Sequence, residues 1–125
     1  MLRIFSASPR ICTGLLAGGV VMVVLVTLPA RLDESNAAEI SAGLVAAAEG
    51  HPQVLIADMS RTRSCDWAGA RALASAFSHA TTRGTELRLV TASDAVRRVI
   101  NLNGLDRLMR IFDDVRSASS VPAAG

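Results

Sequence analysis

Apolar positions along this chain follow two rhythms, short dense runs and stretches spaced three or four apart, and their alternation predicts strands separated by helices. Val20 to Leu28 is a run rich in β-branched residues, which suits a buried strand. Pro29-Ala30-Arg31-Leu32-Asp33 breaks it, and Ser35 or Asn36 stands where a helix needs a cap. Asn36 with Glu39 three residues on has the spacing of a capping box. Ile40, Leu44, Ala47 and Ala48 then share one helical face, with Gly50 closing the segment. Val54 to Met59 lacks polar alternation and reads as a central strand.

Asp66 is placed to cap the next helix, whose inner face collects Gly69, Leu73, Ala76, Phe77 and Ala80 and whose end is marked by Arg83 and Gly84. Glu86 to Thr91 predicts a third strand. Ser93 caps a third helix, with Val96, Val99 and Ile100 inward and Arg97 and Arg98 outward, and Asn103-Gly104 stops it. Leu108 to Phe112 fits a last edge strand, Asp113 to Ser120 a short final helix, and 121–125 a frayed tail. The result is an α/β layer fold: a central mixed sheet of about four to five strands with about four helices, without internal repeats.

The first thirty residues allow two readings. Ile11 to Ala30 carries no charge and follows Arg3 and Arg10, which is the length and flank of a membrane anchor or export signal. Gly14, Gly18, Gly19 and Pro29 interrupt it, however, and its valines favour a strand, so a hairpin turning at Ala17-Gly18-Gly19 is the preferred reading. Residues 1–18 then form an N-terminal segment holding the first hairpin strand, and 19–120 the domain proper. An N-terminal anchor is the lesser alternative.

Composition narrows the chemistry. With 125 residues there is enough chain for one core and too little for two. Half the residues are apolar but only 3% aromatic, so the core must be built from small and aliphatic side chains. All 13 basic residues are arginine and 11 acids oppose them; the arginines are dispersed and stacking aromatics are few, which argues against nucleic acid. Cys12 and Cys65 have no metal-ligand spacing and suggest reduced thiols in a cytoplasmic protein. Asp33, Asp58 and Asp66 do not form a metal set by spacing, and no glycine-rich phosphate loop occurs, so neither metal nor cofactor is expected.

Four segments together carry a family likeness: Arg31-Leu32-Asp33 after a strand, Ala57-Asp58-Met59-Ser60 ending a strand, Asp66-Trp67-Ala68-Gly69 opening a helix, and Ser93-Asp-Ala-Val-Arg-Arg-Val-Ile-Asn-Leu-Asn-Gly-Leu-Asp-Arg-Leu108. This pattern resembles STAS domains of the anti-sigma factor antagonist type, where a strand ending in Asp-Leu-Ser precedes Asp-Ser-Ser-Gly. The family's glycine before Arg-Leu-Asp is Ala30 here, and its phosphorylatable serine is Trp67. The resemblance implies binding rather than catalysis, with an anti-sigma factor or serine-kinase-type regulatory protein as partner and no nucleic acid or membrane. The implied contact surface comprises Arg31, Asp33, Arg63, Ser64, Cys65, Asp66, Trp67, Ala68, Gly69 and Arg71. A homodimer is also compatible with it.

Individual residues retain alternatives. Trp67 is either a partner anchor or packing against the first helix. Asp66 is foremost a helix cap, and Ser64, the nearest substitute hydroxyl, is foremost a polar loop residue. Cys65 lacks a histidine to activate it and reads as a small buried thiol rather than a nucleophile. Arg61 and Arg63 put positive charge beside the loop, able to steer an acidic partner. The expected function is a protein-binding regulator whose phosphorylation switch at Trp67 is lost. The alternatives are a scaffold subunit of a stress-signalling assembly and a nucleotide- or anion-sensing domain.

Overall fold

The computed structural model describes residues 9–16 and 19–120, with side chains from residue 22 onward. The segment 1–8, the Ala17-Gly18 part of the expected turn, the side chain of Cys12 and the tail 121–125 lie outside the described residues.

Strands β1 (Pro9–Leu16) and β2 (Gly19–Thr27) pair antiparallel, with Leu16 opposite Gly19. The chain then runs through β3 (Arg31–Leu32), α1 (Ala37–Ala48), β4 (Val54–Asp58), β5 (Ser64–Cys65), α2 (Trp67–Thr82), β6 (Glu86–Val90), α3 (Asp94–Leu102), a 3-10 turn at Leu105–Arg107, β7 (Arg110–Phe112) and α4 (Val115–Ser120). The main sheet has the order β1-β2-β4-β6-β7, parallel except at β1, and β3 and β5 form a separate two-residue parallel bridge. This is the α/β layer architecture read from the sequence.

Residue chemistry explains the order. Every residue of β4 is buried, because the strand has a neighbour on each edge and protein on each face; hence its lack of polar alternation. Val24, Val26, Leu55, Ala57, Leu87 and Leu89 join one core with Ile40 and Leu44 of α1, Leu73, Ala76 and Ala80 of α2, and Val96 and Ile100 of α3. The alternate residues Val23, Leu25, Val54, Ile56 and Val90 pack with Ala118 of α4 on the other face. Arg88 belongs by alternation to that second face and is fully buried. Its Nε and Nη2 donate to Glu86 at 3.0 and 3.3 Å, its Nη1 donates to the Ala118 carbonyl, and its guanidinium lies 5.6 Å from the Phe112 ring centre.

Two local expectations are corrected. Asn36 precedes α1 but makes no side-chain cap bond; its Oδ1 accepts from the Asp33 amide at 3.0 Å and its Nδ2 donates to the Arg31 carbonyl at 2.7 Å, so the Asn36 and Glu39 pair is not a capping box. The turn after α1 places its left-handed residue at His51, with φ 54°, and not at Gly50. The ends of α2 and α3 do use glycine, with Gly84 at φ 77° and Gly104 at φ 75°.

Candidate functional site

All four parallel strands point their carboxyl ends to one edge of the molecule, where open α/β sheets commonly present their binding loops. The loops after β2 and β4 are stitched together there. The Leu28 amide donates to the Asp58 carbonyl at 2.9 Å, the Thr62 hydroxyl to the Pro29 carbonyl at 2.8 Å, and the Arg63 amide to the Ala30 carbonyl at 2.7 Å. The bridge pairs Arg31 with Ser64 and Leu32 with Cys65, and the Asp66 amide donates to the Leu32 carbonyl at 3.1 Å. Thr62 is buried between two exposed arginines; it anchors the loop, and no periodic signal in Arg61-Thr62-Arg63 marks it.

Helix α2 starts where this stitching ends. Asp66 adopts extended backbone and its Oδ1 accepts the Gly69 amide at 3.0 Å, satisfying an N-terminal donor as the sequence predicts. Gly69 lies against β3: a Cβ added there would stand 2.8 Å from Leu32 Cβ and 3.0 Å from both Cys65 Sγ and the Leu32 carbonyl oxygen. Only a glycine lets the first turn of the helix approach the bridge this closely. Trp67, the first residue of α2, is left on the outside with 68% of its surface exposed. Most of the residue is therefore in solvent rather than buried in packing.

Of the bridge, the loop and the first turns of α2, Arg31, Arg61, Arg63, Ser64, Asp66 and Arg71 are exposed and Ala68 is half-buried. Asp33 stands beside Arg31, whose Nη2 is 3.4 Å from its Oδ2. The hydroxyl and amide of Ser35 both donate to the Asp33 carboxylate, which together with Arg31 holds that carboxyl below its ordinary range. Cys65 and Gly69, which the family likeness includes in the contact surface, are buried beneath it, in line with the reading of Cys65 as a small buried thiol and of Gly69 on the inner face of the helix. Burial and the neighbouring Asp66 carboxylate push the Cys65 thiol up to about 11, the opposite of an activated nucleophile.

Residues 17–118 match the STAS domain family model. The chain belongs to the STAS domain family. The STAS fold is also shared with an anti-sigma factor antagonist from Mycobacterium paratuberculosis, at 22% identity and a TM-score of 0.70 over 89% of this chain and 91% of that one. A sulfate transporter family protein from Wolinella succinogenes is 27% identical, with a TM-score of 0.66 over 78% and 81% of the two chains. The Bacillus cell fate determinant SpoIIAA in its phosphorylated form is 20% identical, with a TM-score of 0.58 over 77% and 87%. No curated protein sequence matches.

This STAS domain keeps the polar strand end and the capped helix that the four sequence segments promised, and brings Arg31, Asp33, Arg63, Ser64, Asp66, Trp67 and Arg71 to one edge of the sheet. Among the described residues, no three of His, Cys, Asp and Glu come together to hold a metal, and no helix is long and apolar enough to cross a membrane.

Proposed function

We propose that this STAS domain is a protein-binding regulator of the anti-sigma factor antagonist type, docking an anti-sigma factor or serine-kinase-type partner on the face centred at Trp67. The observation that carries this reading is a single tryptophan two-thirds exposed at the first position of a helix capped by Asp66, with Arg61, Arg63 and Arg71 exposed in the same stretch of chain. Tryptophan and arginine are over-represented among residues that dominate binding energy, and an anchor held by a stitched loop loses little entropy on docking. Arg31, Arg63, Ser64, Asp66, Ala68 and Arg71 form the surround, with Asp33 orienting Arg31. Cys65 and Gly69 support the face from below.

Trp67 occupies the position that the family pattern gives to a phosphorylatable serine. A phosphate there would add about −1.5 to −2 charges at a helix N-terminus, where it can be held while spoiling a complementary surface. An indole cannot accept it. The domain therefore engages its partner without that switch, and control passes to abundance or another input.

Affinity capture from the source cell with wild-type and Trp67→Ala baits tests the reading. A retained anti-sigma factor or kinase-fold protein that the variant loses supports it; equal retention by both baits removes Trp67 from the contact, and no such partner on either bait removes the proposed function. Trp67→Ser provides a second arm, since phosphate incorporation at residue 67 by the captured kinase would show that the partner still reads this site.

A further inference from the structure

Several hydroxyls of this domain are engaged inside the fold: Thr62 donates to the Pro29 carbonyl, Thr85 to the Pro52 carbonyl, and Ser93 accepts the Val96 amide. Ser64 differs. It is exposed in β5, its amide is held 3.4 Å from the Ala30 carbonyl, and its hydroxyl makes no hydrogen bond among the described residues. Arg61 and Arg63 stand three residues and one residue before it, both exposed and neither within ion-pair reach of a carboxylate among the described residues. An arginine three residues ahead of a hydroxyl recurs at Arg88 with Thr91 and at Arg116 with Ser119. Thr91 is fully buried, however, and Ser119 donates to the Val115 carbonyl at 2.7 Å. Among the described side chains, only Ser64 joins that spacing to an exposed, unengaged hydroxyl.

The β3–β5 bridge sets Arg31 directly opposite Ser64, both turned outward while Leu32 and Cys65 turn inward. Paired strands lie about 4.8 Å apart, so a phosphate on Ser64 would stand within reach of the Arg31 guanidinium. That side chain is 75% exposed and only loosely tied, 3.4 Å from Asp33. Asp33 keeps the Ser35 amide and hydroxyl as donors if Arg31 turns to the phosphate, so the exchange orphans no carboxylate. Along 61–71, Arg61, Arg63 and Arg71 exceed the single carboxylate, Asp66, by two charges. A phosphate of about −1.5 to −2 charges cancels that surplus.

We propose that Ser64 is a phosphorylation site for an arginine-directed serine kinase, and that the phosphate, paired with Arg31, strips the docking face of its positive charge; this second half rests on the Trp67 reading. Acidic subsites of such a kinase read Arg61 and Arg63. The Ser64 Oγ attacks the γ-phosphorus of ATP, an Oγ–P bond forms as the bond to the bridging oxygen breaks, ADP leaves, and the hydroxyl proton passes to the kinase's base. Ser64 thereby supplies the input that an indole at position 67 cannot.

Incubation of the domain with radiolabelled ATP and soluble extract of the source cell, followed by phosphopeptide mass spectrometry, should place the label on Ser64. Ser64→Ala should lose it, and Arg61→Ala should take it up about tenfold more slowly. In the phosphorylated domain the Arg31 side-chain Nε–H resonance should shift. Capture of a Trp67-dependent partner should weaken about tenfold or more. No label on Ser64, undiminished label in Ser64→Ala, an unmoved Arg31 resonance, or equal capture by the phosphorylated and unmodified domains would overturn the proposal. Label on Ser64 with no Trp67-dependent partner on the unmodified bait would instead uphold the site and remove the Trp67 reading.

Discussion

Gly69 meets Leu32 so closely that a methyl group on the glycine would stand 2.8 Å from the leucine Cβ. The neighbours on that side are a side-chain root, a backbone carbonyl and the buried Cys65 sulfur, none of which is a flexible tip able to swing aside. The first turn of α2 is thereby set against the β3–β5 bridge, and the position of Trp67 follows from it.

Gly69→Ala is accordingly expected to destabilise the domain by about 1–3 kcal/mol, the usual cost of overpacking. The helix propensity gained from alanine, about 1 kcal/mol, offsets part of the clash. Urea titration should show a lower midpoint with an unchanged slope; a variant as stable as wild type would mean the bridge yields easily.

Trp67→Ala should leave stability within about 0.5 kcal/mol of wild type, because the ring is mostly in water. The same change should weaken a captured partner complex by about 2 kcal/mol or more, roughly thirtyfold in Kd. As Trp67 is the sole tryptophan, its emission offers a direct reading: acrylamide should quench it freely in the isolated domain and poorly in the complex.

Cys65 makes stability depend on alkaline pH. Its thiol titrates near 9.0 when free and near 11 in the fold, so the folded state holds the proton more tightly than the unfolded state. That contribution is complete below about pH 9 and is lost as pH rises through the interval to about 11. Denaturant midpoints measured across this window should fall in wild type and fall less in Cys65→Ala. Parallel slopes would show that the thiol is not the titrating group.

Arg88→Ala should cost about 3–5 kcal/mol, since it removes a buried cation from Glu86 and from the Ala118 carbonyl at once. Detachment of α4 should follow, visible as faster amide exchange for residues 115–120 than for α1. A loss below 1 kcal/mol would indicate that α4 is held by Ala118 and Val115 packing alone.

Much of this organisation was legible in the sequence because it is local. Asp66 and Ser93 cap their helices as their spacing with Gly69 and Val96 implies, and Gly84 and Gly104 take the left-handed conformation expected after a helix. Asn36 misled because its amide found partners in its own loop, at Asp33 and Arg31, that compete with capping. Nothing local marks Thr62 as the anchor to Pro29 or Arg88 as a buried ion, because both depend on residues about thirty positions away. The burial of Cys65 follows from its pairing with Leu32, a long-range contact no periodicity encodes, whereas Gly69 lies on the inner face that helical spacing assigns to α2.

The strand order also governs how the chain can assemble. Val54 must find Val23 on one side and Glu86 on the other, each about thirty residues distant, so the middle of the sheet cannot close until both crossovers have been made. A nascent chain emerging from the ribosome would hold Val54 to Asp58 with one flank open until Glu86 to Val90 arrived. Synthesis pauses that fall between those two segments would therefore prolong exposure of a strand that the finished fold buries completely.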